Sequence, residues 1–407
     1  MSGFRGRCAL NRWLLLLARC SGLGIAAGIS SITLLWADRG MTPGQFYLLE
    51  IAFAVFLFVL EIVTGRFSDR FGRVLTLKLG FAAHIVGCLF YATAESFSGF
   101  MVGEAFFALG IALHSGTDEA FLFQSIKALK GGQNLTGQSG KDDPYHQQWW
   151  TFMIGCGFVS MGAFNLIGTA LSTFDLSYPY WLAAGCQIVS LTLCFFMVEP
   201  PVQDADDSST PGGSLREAVT SVLCVPSTVL WMMIVPGFIA SVNATFLWTY
   251  RDILEECKLS AMGCGLVFAF FNIVAGATAL AVRKIEDDDT ARTIVWVVLA
   301  GLIGSALGLV TLAGQLVWLV LIPQQIARSL SGSLFSQTIN DAIPDRVRAT
   351  ALSVKNSMRV VLYVAALTPW WLGVESLGRH GMFCVNLAIL SVGAVVLWYS
   401  NPRESSA

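Results

Sequence analysis

The sequence predicts an all-α membrane protein with twelve transmembrane helices in two pseudo-symmetric six-helix lobes. Three observations predict it. Of 407 residues, 55% are hydrophobic and 13% are charged, against about 25% charged in a soluble domain. The mean hydropathy is +0.65. The apolar residues form runs close to the roughly 20 needed to cross a hydrocarbon core, and the second half of the chain echoes the first. The net charge of −2 offers no basic face to nucleic acid.

Taken in order, Arg5, Arg7 and Arg12 precede an apolar run at 13–36. That run exceeds the roughly 7–15 residues of a secretion signal, and no A-x-A cleavage pattern follows, so it reads as an uncleaved first span. Further spans are expected at 45–64, 74–95, 99–124, 149–172 and 178–198. After a break, six more follow at 226–249, 261–282, 293–312, 315–338, 350–373 and 381–399. The break, EPPVQDADDSSTPGGSLREAV, is acidic and rich in Pro, Gly and Ser, the composition of a linker. Within it Ser214-x-x-Glu217 has capping-box spacing and predicts a short helix at the membrane surface. The chain thus divides into a first lobe at 1–198, a cytoplasmic linker at 199–225 and a second lobe at 226–407.

Lys and Arg concentrate in cytoplasmic loops. With both termini inside, 18 of the 25 lie on inner segments, while Arg39, Arg251, Lys258 and Arg379 lie outside. Arg19, Arg328 and Arg359 remain within spans. The expected place is therefore the cell membrane, inner or plasma, crossed many times, with both ends cytoplasmic. The ten cysteines are scattered with no C-x-x-C pair, so they read as small apolar packers rather than zinc or redox ligands. Trp149-Trp150, Trp181 and Trp370-Trp371 lie near span ends, as interface belts require.

The halves repeat at a nearly fixed offset. Thr42-Pro43 is matched by Ser260-Ala261, Asp69 and Arg73 by Asp288 and Arg292, and Ser115-Gly116 by Ser331-Gly332. Six spans duplicated in parallel is the arrangement this suggests. The densest charge lies between spans 2 and 3, in TGRFSDRFGR at 64–73. Generic inner-face anchoring accounts for its arginines but not for Asp69 or the two glycines. Glycine permits tight turns and close approach. An aspartate there suits the positive N-terminus of a neighbouring helix, and an arginine four residues on suits a carboxylate.

Gly65-x-x-x-Asp69-Arg70-x-Gly72-Arg73 resembles the loop signature of the major facilitator superfamily. The lead-in Glu61-x-x-Thr64-Gly65, the span-4 stretch SGTDEAFLFQSIKALK and RATALS at 348–353 resemble its bacterial proton-coupled efflux-type members, with Val63 where those often carry Pro. The resemblance covers nearly the whole chain and is silent about substrate. It implies that the loop is a conformational latch formed by Gly65, Asp69, Arg70, Gly72 and Arg73. Asp69 would face the start of span 11 near Thr350, and Arg73 an acid low on span 4. The family's Tyr-Asp pair stands here as Phe123-Gln124. Gln124 offers Arg73 no ion pair, which leaves either a weaker latch or Glu119 as substitute. The second copy lacks the glycines.

Ionisable groups within spans cost about 2.5–3.5 kcal/mol each on insertion scales and mark function by default. They are Arg19, Glu50, Glu104, Asp118, Glu119, Arg328 and Arg359, with His84 and His114. At about 100° per residue, Glu104, Ser115 and Asp118 share one stripe of span 4. Gln324, Gln325, Arg328 and Ser331 form another on span 10. The resemblance places spans 1, 4, 7 and 10 around a solute cavity. Arg19, Glu104, Asp118, Asn243 and Arg328 fall on those spans, with Glu119 and Arg359 as further coupling candidates. Structural readings stand beside these. Arg19 is near enough to the inner face to snorkel, Glu104 is near the outer end, and Asp118 or Glu119 fits the latch alone. Glu50 and Arg359 suit a pair. His84 reads as a packing residue, and His114, one turn before Asp118, fits either reading.

No G-x-x-x-x-G-K-[ST] phosphate loop appears, and His84, His114, His146 and His380 show no metal-ligand spacing. An enzyme is therefore not expected, nor a cofactor or metal. The expected function is secondary active transport of a small organic solute by alternating access, with proton-coupled efflux as the leading form. The expected partners are the solute, protons and the lipid bilayer, with the protein a monomer. The alternatives are an importer or uniporter of a sugar, amino acid or siderophore, and a transport-inactive receptor or scaffold.

Overall fold

The computed structural model describes residues 2–64, 67–129, 144–200, 227–282, 288–330 and 345–400. These are helical throughout, with turns between helices and no strand among the described residues. Span 1 comprises α1 (Ser2–Gly22), a 3₁₀ turn at Leu23–Ile25, α2 (Ala26–Ile29) and α3 (Ile32–Asp38). Then come α4 (Pro43–Thr64), α5 (Phe67–Phe71), α6 (Arg73–Thr93), α7 (Phe97–His114), α8 (Thr117–Leu129), α9 (Pro144–Ser172) and α10 (Tyr178–Phe195). The second half holds α11 (Ser227–Leu247), α12 (Tyr250–Glu256), α13 (Ala261–Val282), α14 (Asp288–Thr311), a 3₁₀ turn at Val317–Leu321, α15 (Ile322–Leu330) and α16 (Asp345–Ser400). α16 is interrupted at Gly378, whose φ of 66° is non-helical.

Nine described helical segments are long and apolar enough to cross a membrane. One of them, Ser357–Ser400, has 44 residues, about 66 Å of helix against a hydrocarbon core of about 30 Å. The break at Gly378 divides it into the two expected spans. The expected spans at 261–282 and 74–95 match α13 and α6 closely. Two expected single spans are broken instead. The first turns at Ser30-Ser31, and the fourth at Ser115-Gly116. Apolar periodicity runs unbroken through both turns, so hydropathy alone does not reveal them. Large apolar side chains such as Val159, Phe174, Ile273, Val297 and Leu372 are strongly exposed. Lipid is the solvent that suits such a surface.

The chain forms two compact units: Met1–Met41 with Ala52–Asp204 and Ser260–Ile273, and Thr42–Ile51 with Ala205–Leu259 and Val274–Ala407. The first unit packs around Leu15, Leu77, Phe81, Phe121 and Leu122. The start of its first helix is held by Asn11, which donates to the Val198 carbonyl at 2.8 Å and accepts from the Val198 N–H at 3.0 Å. Asn11 also donates to Ser125 at 3.1 Å, so one amide ties α1 to α8 and to the end of α10.

The second unit has its own buried polar tie. The Trp370 indole donates to Asn386 at 3.0 Å, and Asn386 donates to Thr245 at 2.8 Å. Trp370, expected in an interface belt, is fully buried. Its indole N–H finds a partner inside, so it needs no wet interface. Arg379 pairs with Asp252 at 3.2 Å and with Glu256, clasping α12 to the turn at Gly378. All nine described cysteines are free.

Candidate functional site

The break in span 4 gathers the first unit's buried charges. Ser115 leaves helical geometry and Gly116 takes φ +73°, a backbone region that glycine adopts without strain. α8 restarts at Thr117 with Asp118 and Glu119 in its first turn, where the helix dipole favours negative charge. Asp118 is ion-paired with Arg19 of α1. Its other oxygen lies 3.3 Å from His114 Nδ1, at the end of α7. Trp150 of α9 lies under the Arg19 guanidinium at 4.9 Å, a cation–π contact. The side chains of Asp118 and His114 are 12% and 14% exposed, whereas that of Arg19 is 30% exposed. Arg19 is thus the accessible member of the cluster.

Behind His114 stands His84 of α6. The rings stack with centroids 5.5 Å apart and an interplanar angle of 21°. Two glycines make room for them. A Cβ on Gly110 would lie 2.1 Å from the His84 ring, and one on Gly80 would lie 2.6 Å from His114 Nε2. Both Nε2 atoms are buried and have no hydrogen-bond partner among the described residues. Each glycine lies four residues before a histidine on its own helix and faces the histidine of the other, a reciprocal spacing that is visible in the sequence.

Glu104 does not join this cluster. It is buried and accepts a hydrogen bond from the Tyr91 hydroxyl of α6. The expected stripe of Glu104, Ser115 and Asp118 assumed one continuous helix. The Gly116 turn resets the phase, and Ser115 is exposed. Glu119 is partly buried in α8.

In the second unit, Asn243 of α11 and Gln324 and Gln325 of α15 are buried. Gln324 donates to Ser305 at 2.7 Å and Gln325 to the Tyr250 hydroxyl at 3.0 Å. The amide oxygens of Asn243, Gln324 and Gln325 have no partner among the described residues. Arg328 lies one turn beyond, within electrostatic reach of Tyr250. Arg359 is exposed, beside Gly237. Glu50 accepts from Tyr363 at 3.1 Å.

The loop at 64–73 is described only in part. Gly65 and the side chain of Asp69 lie outside the described residues, as do the side chains of 348–353 and all of Ser331-Gly332. Arg70 is exposed. Gly72 takes φ +92° as the cap of α6. Its partner was missed in the sequence. Glu199, first residue of the expected linker, accepts from the Arg73 and Val74 N–H groups at 2.8 Å each. A Cβ on Gly72 would come within 3.3 Å of that carboxylate. Gln124 keeps a buried amide oxygen with no partner among the described residues. Also among them, no group of three His, Cys, Asp or Glu side chains is placed to hold a metal ion.

A family model, the Major Facilitator Superfamily, matches residues 143–369, more than half of the chain. No curated protein sequence matches. Among solved structures, a D-xylose-proton symporter aligns with TM-score 0.71 and 12% identity, covering 97% of this chain and 98% of its own. The nucleoside transporter NupG aligns with TM-score 0.72 and 11% identity, covering 96% and 100%. A bacterial homolog of the human lysosomal transporter Spinster aligns with TM-score 0.72 and 15% identity, covering 97% of each chain. The apolar helices, the charges buried at a helix break and the family match lead to one conclusion: this chain belongs to the Major Facilitator Superfamily and is a multi-pass membrane transporter.

Proposed function

We propose that the protein is a proton-coupled secondary transporter that exports a small organic solute by alternating access. The observation that carries this reading is the buried cluster of Arg19, Asp118 and His114 at the break in span 4. Charges in the membrane persist where they pair and act. Asp118 holds a permanent cation on one oxygen and a titratable imidazole on the other, so its partners change with proton occupancy. Glu104 is a second proton carrier on the same span, held by a phenol rather than a cation. The amide oxygens of Asn243, Gln324 and Gln325, with Arg328, form the polar face for solute in the second unit. One structural neighbour is a D-xylose-proton symporter, which supports proton coupling; at 12% identity its sugar is not carried over to this chain. The lysine and arginine asymmetry supports both ends lying in the cytoplasm.

The test is reconstitution in liposomes with an imposed pH gradient, screening carboxylates, amines, nucleosides and sugars. The expected result is accumulation of at least one solute against its gradient, lost when an ionophore collapses the proton gradient. Movement that ignores the collapse removes the proton coupling. The sign of gradient that drives accumulation distinguishes export from uptake.

A further inference from the structure

We propose that the solute is a carboxylate-bearing organic anion, that Arg19 is its anchor, and that protonation of His114 releases Arg19 to receive it. The inference rests on the transport reading only in calling the bound anion a substrate.

The argument begins with a competition visible at Asp118. One oxygen is taken by Arg19 and the other faces His114 at 3.3 Å. In the neutral imidazole, an Nδ1–H donates to Asp118 and leaves the Nε2 lone pair open. That Nε2 is buried, has no partner among the described residues, and faces the gap left by the missing side chain of Gly80. A proton arriving there makes His114 a cation. Two cations then share one carboxylate. Arg19 is the one that can leave, because its side chain is 30% exposed while that of His114 is 14% exposed. His114 is wedged between Phe81, with ring centroids 4.3 Å apart, and His84. The guanidinium already holds a carboxylate, so its fork is matched to another of the same geometry. Trp150 lies on its face at 4.9 Å and steadies it without occupying its donors.

The charged and titratable groups around His114 permit this exchange. They are His84 on α6, Arg19 on α1 and Asp118 on α8, with Lys78 on α6 and Cys194 on α10 near the Asp118 side and Glu119 next to Asp118 in sequence. Lys78 lies over the Phe195 ring at 4.2 Å. Among the described residues, Asp118 is the one carboxylate that both Arg19 and His114 touch. Binding an anion at Arg19 therefore balances the proton added at His114.

The experiment is equilibrium binding with no gradient, so a failure of gradient-driven transport leaves it standing, and its own failure leaves transport untouched. The protein is placed in nanodiscs of phosphatidylcholine alone. Thermal unfolding is followed with acetate, benzoate, succinate and citrate, and with the matching neutral amides, at pH 5.5 and 7.5. A tenfold change in the fraction of protein with Arg19 released changes the apparent affinity about tenfold. The expected result is a carboxylate, and not its amide, binding about tenfold more tightly at pH 5.5. His114→Gln should bind weakly at both pH values, and Asp118→Asn tightly at both, since Arg19 is then free. Arg19→Gln should lose binding. Adding anionic lipid should weaken carboxylate binding only if headgroups enter the same site; lipid-dependent stabilisation with no carboxylate response overturns the proposal. So does a carboxylate effect matched by its amide, a pH dependence that survives His114→Gln, or no response to any probe.

Discussion

At the scale of single residues, the first unit is built around two histidines that small neighbours admit. Gly110→Ala would drive a Cβ to 2.1 Å from the His84 ring. Overpacking of this kind costs about 1–3 kcal/mol. The expected outcome is a lowered unfolding midpoint that His84→Ala partly restores in the double variant. An equal loss in both backgrounds would show that the histidine is not what Gly110 accommodates. A second residue-scale prediction concerns Glu199. Glu199→Gln keeps one of the two acceptors, sets an NH2 group against the other backbone N–H, and removes the charge from the start of α6, the charge alone being worth about 0.3–1 kcal/mol. Unfolding in low and high salt checks it, since salt should shrink the difference between the two proteins. Sequence reading found Arg19 and Asp118 because charges in apolar runs are conspicuous. It missed Glu199, which sits among the acidic and proline-rich residues of a linker and looks like one more solvated charge. It left His84 as packing because a helix reveals which face a residue occupies but not what stands opposite.

At the scale of elements, the informative features are interruptions. Span 4 turns at Gly116, whose φ of +73° permits the break, and nothing lies within 4 Å of the Cβ it lacks. Gly116→Ala therefore costs backbone strain alone, about 1–2 kcal/mol. Gly116→Asn should recover much of it, because asparagine tolerates that conformation. Comparing the two unfolding midpoints checks this, and equal losses would place the cause elsewhere. In the second unit, Asn386→Leu strands the Trp370 indole N–H, which is otherwise paired at 3.0 Å, while the Thr245 hydroxyl keeps its bond to the Val242 carbonyl at 2.7 Å. A buried unsatisfied group costs about 1–3 kcal/mol, so this variant should melt well below the native protein. Most helices were legible because a membrane demands long apolar runs. The turns at Ser30-Ser31 and Ser115-Gly116 were not, because small residues keep the hydropathy high while the backbone changes direction. The Glu104–Asp118 stripe failed for that reason.

At the scale of the whole molecule, the fold follows from solvent and repeat. A chain with 13% charged residues has lipid as its natural surroundings, and the family match over 143–369 gives it a transporter's architecture. What passes through it was not legible in the motif at 64–73, which the family resemblance reads as a latch and not as a solute site. The residues we propose to bear on solute and protons are scattered singly along the chain at Arg19, His114 and Asp118, and only folding brings them together. If that cluster couples solute movement to protons, exchange and accumulation must separate when it is altered. The decisive measurement uses Asp118→Asn in liposomes, with its unfolding midpoint recorded alongside. One assay follows exchange of labelled for unlabelled solute at equal pH, and the other follows accumulation driven by a pH gradient. The account predicts that exchange persists and accumulation is lost. Accumulation at the native level in Asp118→Asn would contradict it.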